Sequence, residues 1–455
     1  MEALQIYKKD FSITLVSEGG TMLTMRSARE GPNCDGLSRR NFLRAGALGI
    51  GGLTLAHLLE SRAAASQAGQ STKQKSVVFL WLGGGPTHVE TFDPKMSAPS
   101  EFRSVTGAVQ TVVPGIELGG TFTKMARVAD KMAFVRSFAH SNSGHGGGTH
   151  YVMTGYDFPP ADNGGGQNKP GIGAIMSRYR GPSHSSGLPS YVSFGGILGD
   201  GPSWLGAAYA PFNTSGQARN NMTLSVPESR FRDRRLLHES FDSLERSVDR
   251  SGLMQGMDAF DRQAFDLLSG QNARVAFDVS REDPRTADSY GSGLGQQLLL
   301  ARRLCEAGVG FVTVHYGGWD MHGNIKTEME RTAPPVDRAV AAFVQDLELR
   351  GLSEEILLVI TGEFGRTPRI NGGAGRDHWA PLSTLALAGG GLKMGQVIGE
   401  STSKAETPKS RPIGPQDLMA TVFHVLGIPE ALQYSDPSGR PTSMLNGGRA
   451  IQELI

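Results

Sequence analysis

The chain has 455 residues, a formal net charge of +1, 61 glycines and two cysteines. Near-neutrality excludes a partner bound through nucleic-acid phosphates, because such binding needs a basic surface excess. Aliphatic and aromatic residues occur in globular proportion, so the glycines mark a loop-rich folded protein rather than a disordered one.

Ser38-Arg39-Arg40-Asn41-Phe42-Leu43-Arg44, the mildly apolar run Ala45 to Leu59 and Ala63-Ala64-Ala65 follow one another as in a twin-arginine export signal with its cleavage site. The apolar run, roughly 15 residues, is too short and too weakly apolar to span a bilayer. Residues 1–65 are therefore read as a signal region, with the twin-arginine translocase as the partner during export and a periplasmic or secreted destination. A polar stretch precedes the arginines and shows no clear period from Met1 to Thr21, which makes Met22 or Met25 a candidate start. After cleavage near Ser66 about 390 residues remain, enough for one large α/β domain or two ordinary ones. Cys34 falls before the cleavage point, so Cys305 stands alone and forms no internal disulfide. No second stretch is long and apolar enough for a stable membrane span.

Short apolar runs then recur, each ending in a Gly-rich or polar loop: Ser76 to Leu82, Met132 to Phe138, Ser190 to Phe194, Gly310 to His315, Ile356 to Thr361 and Leu382 to Ala388. Their continuity predicts strands buried on both faces. Helical periods lie between them, at Gly293 to Ala307, at Val336-Val340-Phe343-Leu347 behind Pro334-Pro335, and at Pro415 to Leu426, which Gly427 ends. Strands alternating with helices predict a doubly wound, mostly parallel sheet with helices on both faces, in a single domain over 66–455. One stretch departs from this rhythm. Residues 227–289 are charged and strand-poor, and read as a helical insertion with one helix carrying Phe231 to Val248 and a second over Met257 to Leu268.

In open parallel sheets, ligands bind beyond the carboxyl ends of strands. The loops there hold most of the polar chemistry: Gly83-Gly84-Gly85-Pro86-Thr87-His88, then Ser141-Asn142-Ser143-Gly144-His145-Gly146-Gly147-Gly148-Thr149-His150, then Trp319-Asp320-Met321-His322, and finally Glu363-Phe364-Gly365-Arg366 with Arg376-Asp377-His378-Trp379. Asp320 and His322 can approach one divalent ion together, with Glu363, or Asp377 and His378, completing the shell. The glycine loop can offer backbone N–H groups to an anion, with His145 beside it and Thr149, Ser143 or Ser141 as a hydroxyl nucleophile. Arg366, and with it Arg376, can clamp an oxyanion. Trp319 and Trp379 either pack in the core or seal and stack at the site.

The motifs L-G-G-G-P-T-H-V-E-T-F-D-P-K, the His-rich glycine loop, G-G-W-D-M-H-G-N, T-G-E-F-G-R-T-P and G-R-D-H-W resemble the bacterial exported family known as domain of unknown function 1501, over nearly the whole chain. Through that family the chain resembles the alkaline phosphatase and sulfatase superfamily, which implies a doubly wound sheet with a metal-dependent ester-hydrolysing site. His378 matches the final metal-binding histidine. Glycines stand where an aspartate follows the first strand, with Thr87, His88 or Asp93 as substitutes, so His88 joins the candidate ligands. The nucleophile motif of formylglycine sulfatases is absent, because Ser97-Ala98-Pro99-Ser100-Glu101 carries Glu in place of Arg.

These readings lead to an exported hydrolase of phosphate or sulfate esters, small-molecule or glycan, using zinc, manganese or calcium. The competing reading is a non-catalytic protein that binds an envelope or extracellular polysaccharide on the same fold. A mutase of phosphorylated sugars fits the superfamily but not the exported location.

Overall fold

Ser76-Val-Val-Phe-Leu-Trp-Leu82 is apolar at both parities, and both faces of the strand it forms are buried. Val78, Leu80 and Leu82 join one apolar cluster, while Val77, Phe79 and Trp81 join another. Each such side chain contributes about 2 kcal/mol on burial. The computed structural model describes residues 74–157, 168–214 and 271–455, together with the backbone of Gln5–Lys8, Phe11–Ser17 and Thr21–Ser27. The chain divides into two compact units, Met1–Lys73 and Gln74–Ile455.

In the first unit the three N-terminal strands form an antiparallel sheet in sequence order. This differs from the absence of a clear period read over Met1 to Thr21. Phe11, Ile13 and Leu15 alternate with Ser12 and Thr14, which is a period-2 strand signal. The arginine pair, the apolar run and the cleavage site lie outside the described residues.

The second unit is built on β1 (Ser76–Leu82), β2 (Met132–Val135), β3 (Tyr191–Phe194), β4 (Phe212–Asn213), β5 (Phe311–Tyr316), β6 (Ile356–Thr361), β7 (Leu385–Gly389) and β8 (Gln396–Ile398). Their order in the sheet is β8-β2-β7-β6-β1-β5-β3-β4. β1 pairs in parallel with both β5 and β6, with Leu80 opposite Val314 and Phe79 opposite Val359. Only β7 runs against its neighbours. The sheet is thus mostly parallel, as its continuous apolar strands require. Its first strand sits at the centre with later strands on either side, the place where chain order reverses and loops converge.

Among the described residues the longer helices flanking it are α1 (His145–Thr154), α2 (Ile172–Arg180), α3 (Leu294–Glu306), α4 (Ile325–Arg350) and α5 (Pro415–Leu426). The Leu80 face packs against α3 and α4, and the Phe79 face against α2 and α5. Helices therefore lie on both faces, as expected. α4 begins far before Pro334-Pro335, which lie inside it. Each proline removes an intrahelical hydrogen bond, but Ile325, Met329 and Ala333 are buried ahead of them, and that packing carries the helix through. α1 starts at His145, with Gly146, Gly147 and Gly148 in its first turn. The expected insertion falls largely outside the described residues. Its described end is helical at Gln271–Phe277 and Pro284–Tyr290. Among the described residues no helix is long and apolar enough to cross a membrane.

Candidate functional site

Burial alternates along the loop after β5: Trp319 and Met321 are buried, whereas Asp320 and His322 are exposed. The two apolar side chains anchor the loop in the core, and the alternation turns the two polar ones outward together. The same device recurs at Arg376-Asp377. Arg376 is buried on Glu90, with Nη2 at 2.9 Å and Nε at 3.2 Å from Oε1, while Asp377 is exposed. The Arg376 guanidinium also meets the carbonyls of Thr367, Pro368 and Arg103. Glu90 in turn accepts from Ser104 Oγ at 2.5 Å and Val105 N at 3.0 Å. This saturated pair pins the last loop, and it leaves Arg376 no donor for the oxyanion expected of it.

Arg366 lies opposite His378 in a two-residue antiparallel pairing. Its guanidinium is 0% exposed and serves the carbonyls of Gly84, Gly85 and Arg376 and the carboxylate of Asp320. All its donor groups are engaged within the loops, so it sets Asp320 in place rather than presenting a fork to solvent. Burial lowers its pKa, opposed by Asp320. In Asp320 burial acts upward, but Arg366, His145 and His322 outweigh it and hold the carboxyl below its usual range.

Three histidines converge on Asp320. His145 Nε2 is 3.6 Å from Oδ2, and His322 Nε2 and His378 Nε2 are 3.0 and 3.3 Å from Oδ1. His322 Nε2 and His378 Nε2 are 3.1 Å apart. Behind each ring, Nδ1 faces an atom that only accepts: Glu363 Oε1 at 2.8 Å for His145, Asp377 Oδ1 at 2.8 Å for His322 and the Ser143 carbonyl at 2.9 Å for His378. The proton of each neutral ring therefore sits on Nδ1. Every Nε2 then turns a lone pair toward the others and toward a carboxylate. Three Nε2 atoms and a carboxylate gathered this closely suit a cation, with Arg366 donating to Asp320 Oδ1 and its Nη1 at 3.3 Å from His322 Nε2. The Asp320–His322, Asp320–His378 and His322–His378 separations are near the roughly 3.3 Å between ligands of a tetrahedral zinc, whereas the mutually close group that includes His145 is His145, Asp320 and His378, without His322. One ligand atom each from His145, Asp320 and His378 lies within 4.8 Å of the other two.

The charge states follow from these contacts. The Glu363 bond raises the pKa of His145 against burial. Burial lowers that of His378, helped by Arg366 and His145. The His322 bond keeps the Asp377 carboxyl low.

The structure brings Asp320, His322 and His378 together, adds His145 from the glycine loop, and sets Asp377 behind His322. Glu363 differs from expectation. It is 3% exposed, and Oε1 receives His145 Nδ1 and Gly84 N, both at 2.8 Å. His88 is corrected outright: it is buried beside Val89 with Nε2 at 3.0 Å from the Ala405 carbonyl, and burial pushes its pKa down to about 4. It is a core histidine away from the cluster. Thr87 caps the short helix His88–Thr91, and Asp93 is tied to Lys95 and Arg136 at 3.3 and 3.5 Å. Thr149 is also corrected. It is buried on α1 with Oγ1 bonded at 2.7 Å to the His145 carbonyl, the usual back-bond of a mid-helix threonine. Ser141 Oγ donates to Asp157 at 2.8 Å, and Ser143 Oγ accepts from Ala380 N at 3.0 Å. Trp319 packs in the core, and Trp379 donates to the Glu406 carbonyl at 2.8 Å.

Glycine lets these loops close on one another. A Cβ on Gly84, whose φ is +114°, would lie 2.4 Å from Asp320 N, and one on Gly148 would lie 2.7 Å from the Glu363 carbonyl. The glycines after β1 thus let backbone approach where a side chain would clash. Sequence reading missed the Ser143 carbonyl, since a backbone acceptor leaves no mark in residue type, and it missed the Glu90–Arg376 pair, for which a charged residue amid Val89 and Phe92 was the available signal.

Fold and site together define an α/β protein with a doubly wound sheet and a histidine–carboxylate cluster at the carboxyl ends of its central strands. The family described as "Protein of unknown function (DUF1501)" matches residues 74–455, and the chain belongs to it. No curated protein matches the chain. Among solved structures it is similar to the PsFucS1 sulfatase from Pseudoalteromonas sp., with a TM-score of 0.38 and 13% identity over 83% of this chain and 72% of that one. The phosphonate monoester hydrolase SpPMH from Silicibacter pomeroyi gives 0.38 and 12%, over 83% and 76%. The lipoteichoic acid synthase LtaP from Listeria monocytogenes gives 0.34 and 10%, over 82% and 76%. Likeness of this size carries no chemistry from those proteins to this one.

Proposed function

We propose that the protein is an exported, divalent-metal-dependent hydrolase of phosphate or sulfate esters, carbohydrate esters included. The observation that carries the reading is the convergence of the Nε2 atoms of His145, His322 and His378 on the Asp320 carboxylate. His145, Asp320, His322 and His378 are the proposed ligands. Their nitrogen-rich set suits zinc, or manganese, better than calcium, which takes oxygen ligands. A bound ion supplies Lewis-acid polarisation of an ester oxygen. The protein's own part is to orient that oxygen: the N–H groups of His145, Gly146 and Gly147, ahead of the Gly148 N bond to the Gly144 carbonyl, form the positive end of α1 and can receive an anion. Glu363, Asp377 and the Ser143 carbonyl hold the imidazoles in register, and Arg366 holds Asp320.

The experiment is elemental analysis of protein purified without chelators, with a panel of aryl phosphate and sulfate esters. One ion per chain, with turnover lost in Asp320→Ala, is the expected result. No bound metal and no Asp320-dependent turnover would sink the reading. Export by the twin-arginine route is proposed on Ser38 to Ala65 and checked by N-terminal sequencing of protein from the periplasm, where a start near Ser66 is expected.

A specific observation favours the second reading, a polysaccharide-binding protein without catalysis. Thr149, Ser141 and Ser143 are all engaged elsewhere, so no side-chain hydroxyl is presented to the cluster by any of the three. Glycan binding that survives Asp320→Ala, without turnover in the native protein, would establish it.

A further inference from the structure

We infer that Glu363 is the positioning residue of His145: it fixes the imidazole proton on Nδ1, aims Nε2 at Asp320, and binds no metal itself. The consequence for metal affinity rests on the reading above, whereas the placement of the proton does not. Oε1 of Glu363 accepts two bonds of equal length, from His145 Nδ1 and from Gly84 N at 2.8 Å. The backbone of the loop after β1 thereby sets the carboxylate, and the carboxylate sets the ring. An ionised carboxylate can only accept, so the shared proton belongs to the imidazole. Oε2, the oxygen free to ligate, is buried without a hydrogen-bond partner. An orphaned buried oxygen costs stability. Such a cost persists where a geometry is needed.

The three supports behind the rings are unequal. The Asp377 side chain is 54% exposed, so water competes for His322, and the support of His378 is a neutral carbonyl. The Glu363 side chain is 5% exposed. It alone of the three is both charged and dry, which makes its bond the strongest. Carboxylates behind metal-binding imidazoles fix tautomer and direction, and their loss lowers affinity roughly 10- to 100-fold.

The test uses the full chain. Long-range ¹H–¹⁵N correlation of the metal-free protein should show His145 protonated on Nδ1, a state kept in Glu363→Gln, whose amide oxygen still accepts, and lost in Glu363→Ala. Zinc titration should show affinity within about threefold of native for Glu363→Gln and 10- to 100-fold weaker for Glu363→Ala, at unchanged stoichiometry. A native Nε2–H tautomer, or equal loss of zinc in the Gln and Ala variants as expected of a true ligand, would overturn the inference. If native protein takes up no zinc, the metal reading falls while the tautomer still decides this one.

Discussion

Two regions of the molecule gather ionisable groups, and they are built in opposite ways. Beside α3 and α4, Arg302 reaches Glu282 at 2.5 Å, Glu306 at 2.8 Å and Asp346 at 2.9 Å. Arg303 adds a bond of 2.9 Å to Glu282, Arg350 one of 2.7 Å to Asp346, and Tyr290 donates to Asp346 at 2.8 Å. Each carboxylate there meets cationic or hydroxyl donors, and the helices are stitched together by a closed network. At the strand ends the balance is reversed: three Nε2 lone pairs and a carboxylate face one another, with Arg366 as the sole fixed cation among the groups described around them. A charge cluster whose donors and acceptors match is scaffold. One that leaves acceptors facing acceptors waits for something to bind.

That contrast can be broken experimentally, most severely at the scaffold. Glu282→Ala removes the shared partner of Arg302, Arg303 and Arg350 and leaves the buried Arg302 only Glu306 and Asp346, a loss at the lower end of about 3–5 kcal/mol. Denaturant unfolding should show it, with zinc stoichiometry unchanged in the remaining folded protein. Burial pushes the Glu282 pKa up, but Arg302 and Arg303 bring it from 4.5 to about 2. A pKa depressed by folding stabilises above the unfolded value, so this contribution is lost as pH falls from 4.5 through about 2.

Asp320→Asn should act in the reverse sense. Metal affinity is expected to fall 100-fold or more, about 3 kcal/mol at the site, while the metal-free protein unfolds within about 1 kcal/mol of native, because the residue is exposed and unneeded for packing. Calorimetric zinc titration alongside thermal unfolding separates the two terms. Unchanged affinity would place the ion elsewhere.

The smallest effect sharpens the line between core and cluster histidines. His88 is buried neutral, its pKa lowered from 6.5 to about 4 by burial, and His140 behaves likewise. The unfolded chain takes these protons more readily, so stability should decline as pH falls from 6.5 toward 4. His88→Gln should flatten part of that decline in unfolding curves taken across the range and leave zinc binding untouched. A loss of stoichiometric zinc would return His88 to the site.

Much of the fold was legible because a strand buried on both faces has to be written as an unbroken apolar run. Ser76–Leu82, Ile356–Thr361 and Pro415–Leu426 were read at their observed bounds. Phe212–Asn213 and Gln396–Ile398 are too short to carry a period, and the α4 prolines misled because propensity yields to packing. At the site, residue type and position after a strand singled out Asp320, His322, His378, His145 and Glu363. Residue type could not separate His378, which faces Asp320, from His88, which is sealed under Ala405.

The sequence by itself determined which loops hold the chemistry, since parallel strands deliver their following residues to one edge of the sheet. The tertiary structure alone decided the roles within them. A carboxylate becomes a ligand or a support according to which atom it faces: Asp320 is held open by Arg366 and the buried Trp319 and Met321, while Glu363 is closed on Gly84 N and His145 Nδ1. Those facings are set by contacts between residues hundreds of positions apart, and no local pattern encodes them.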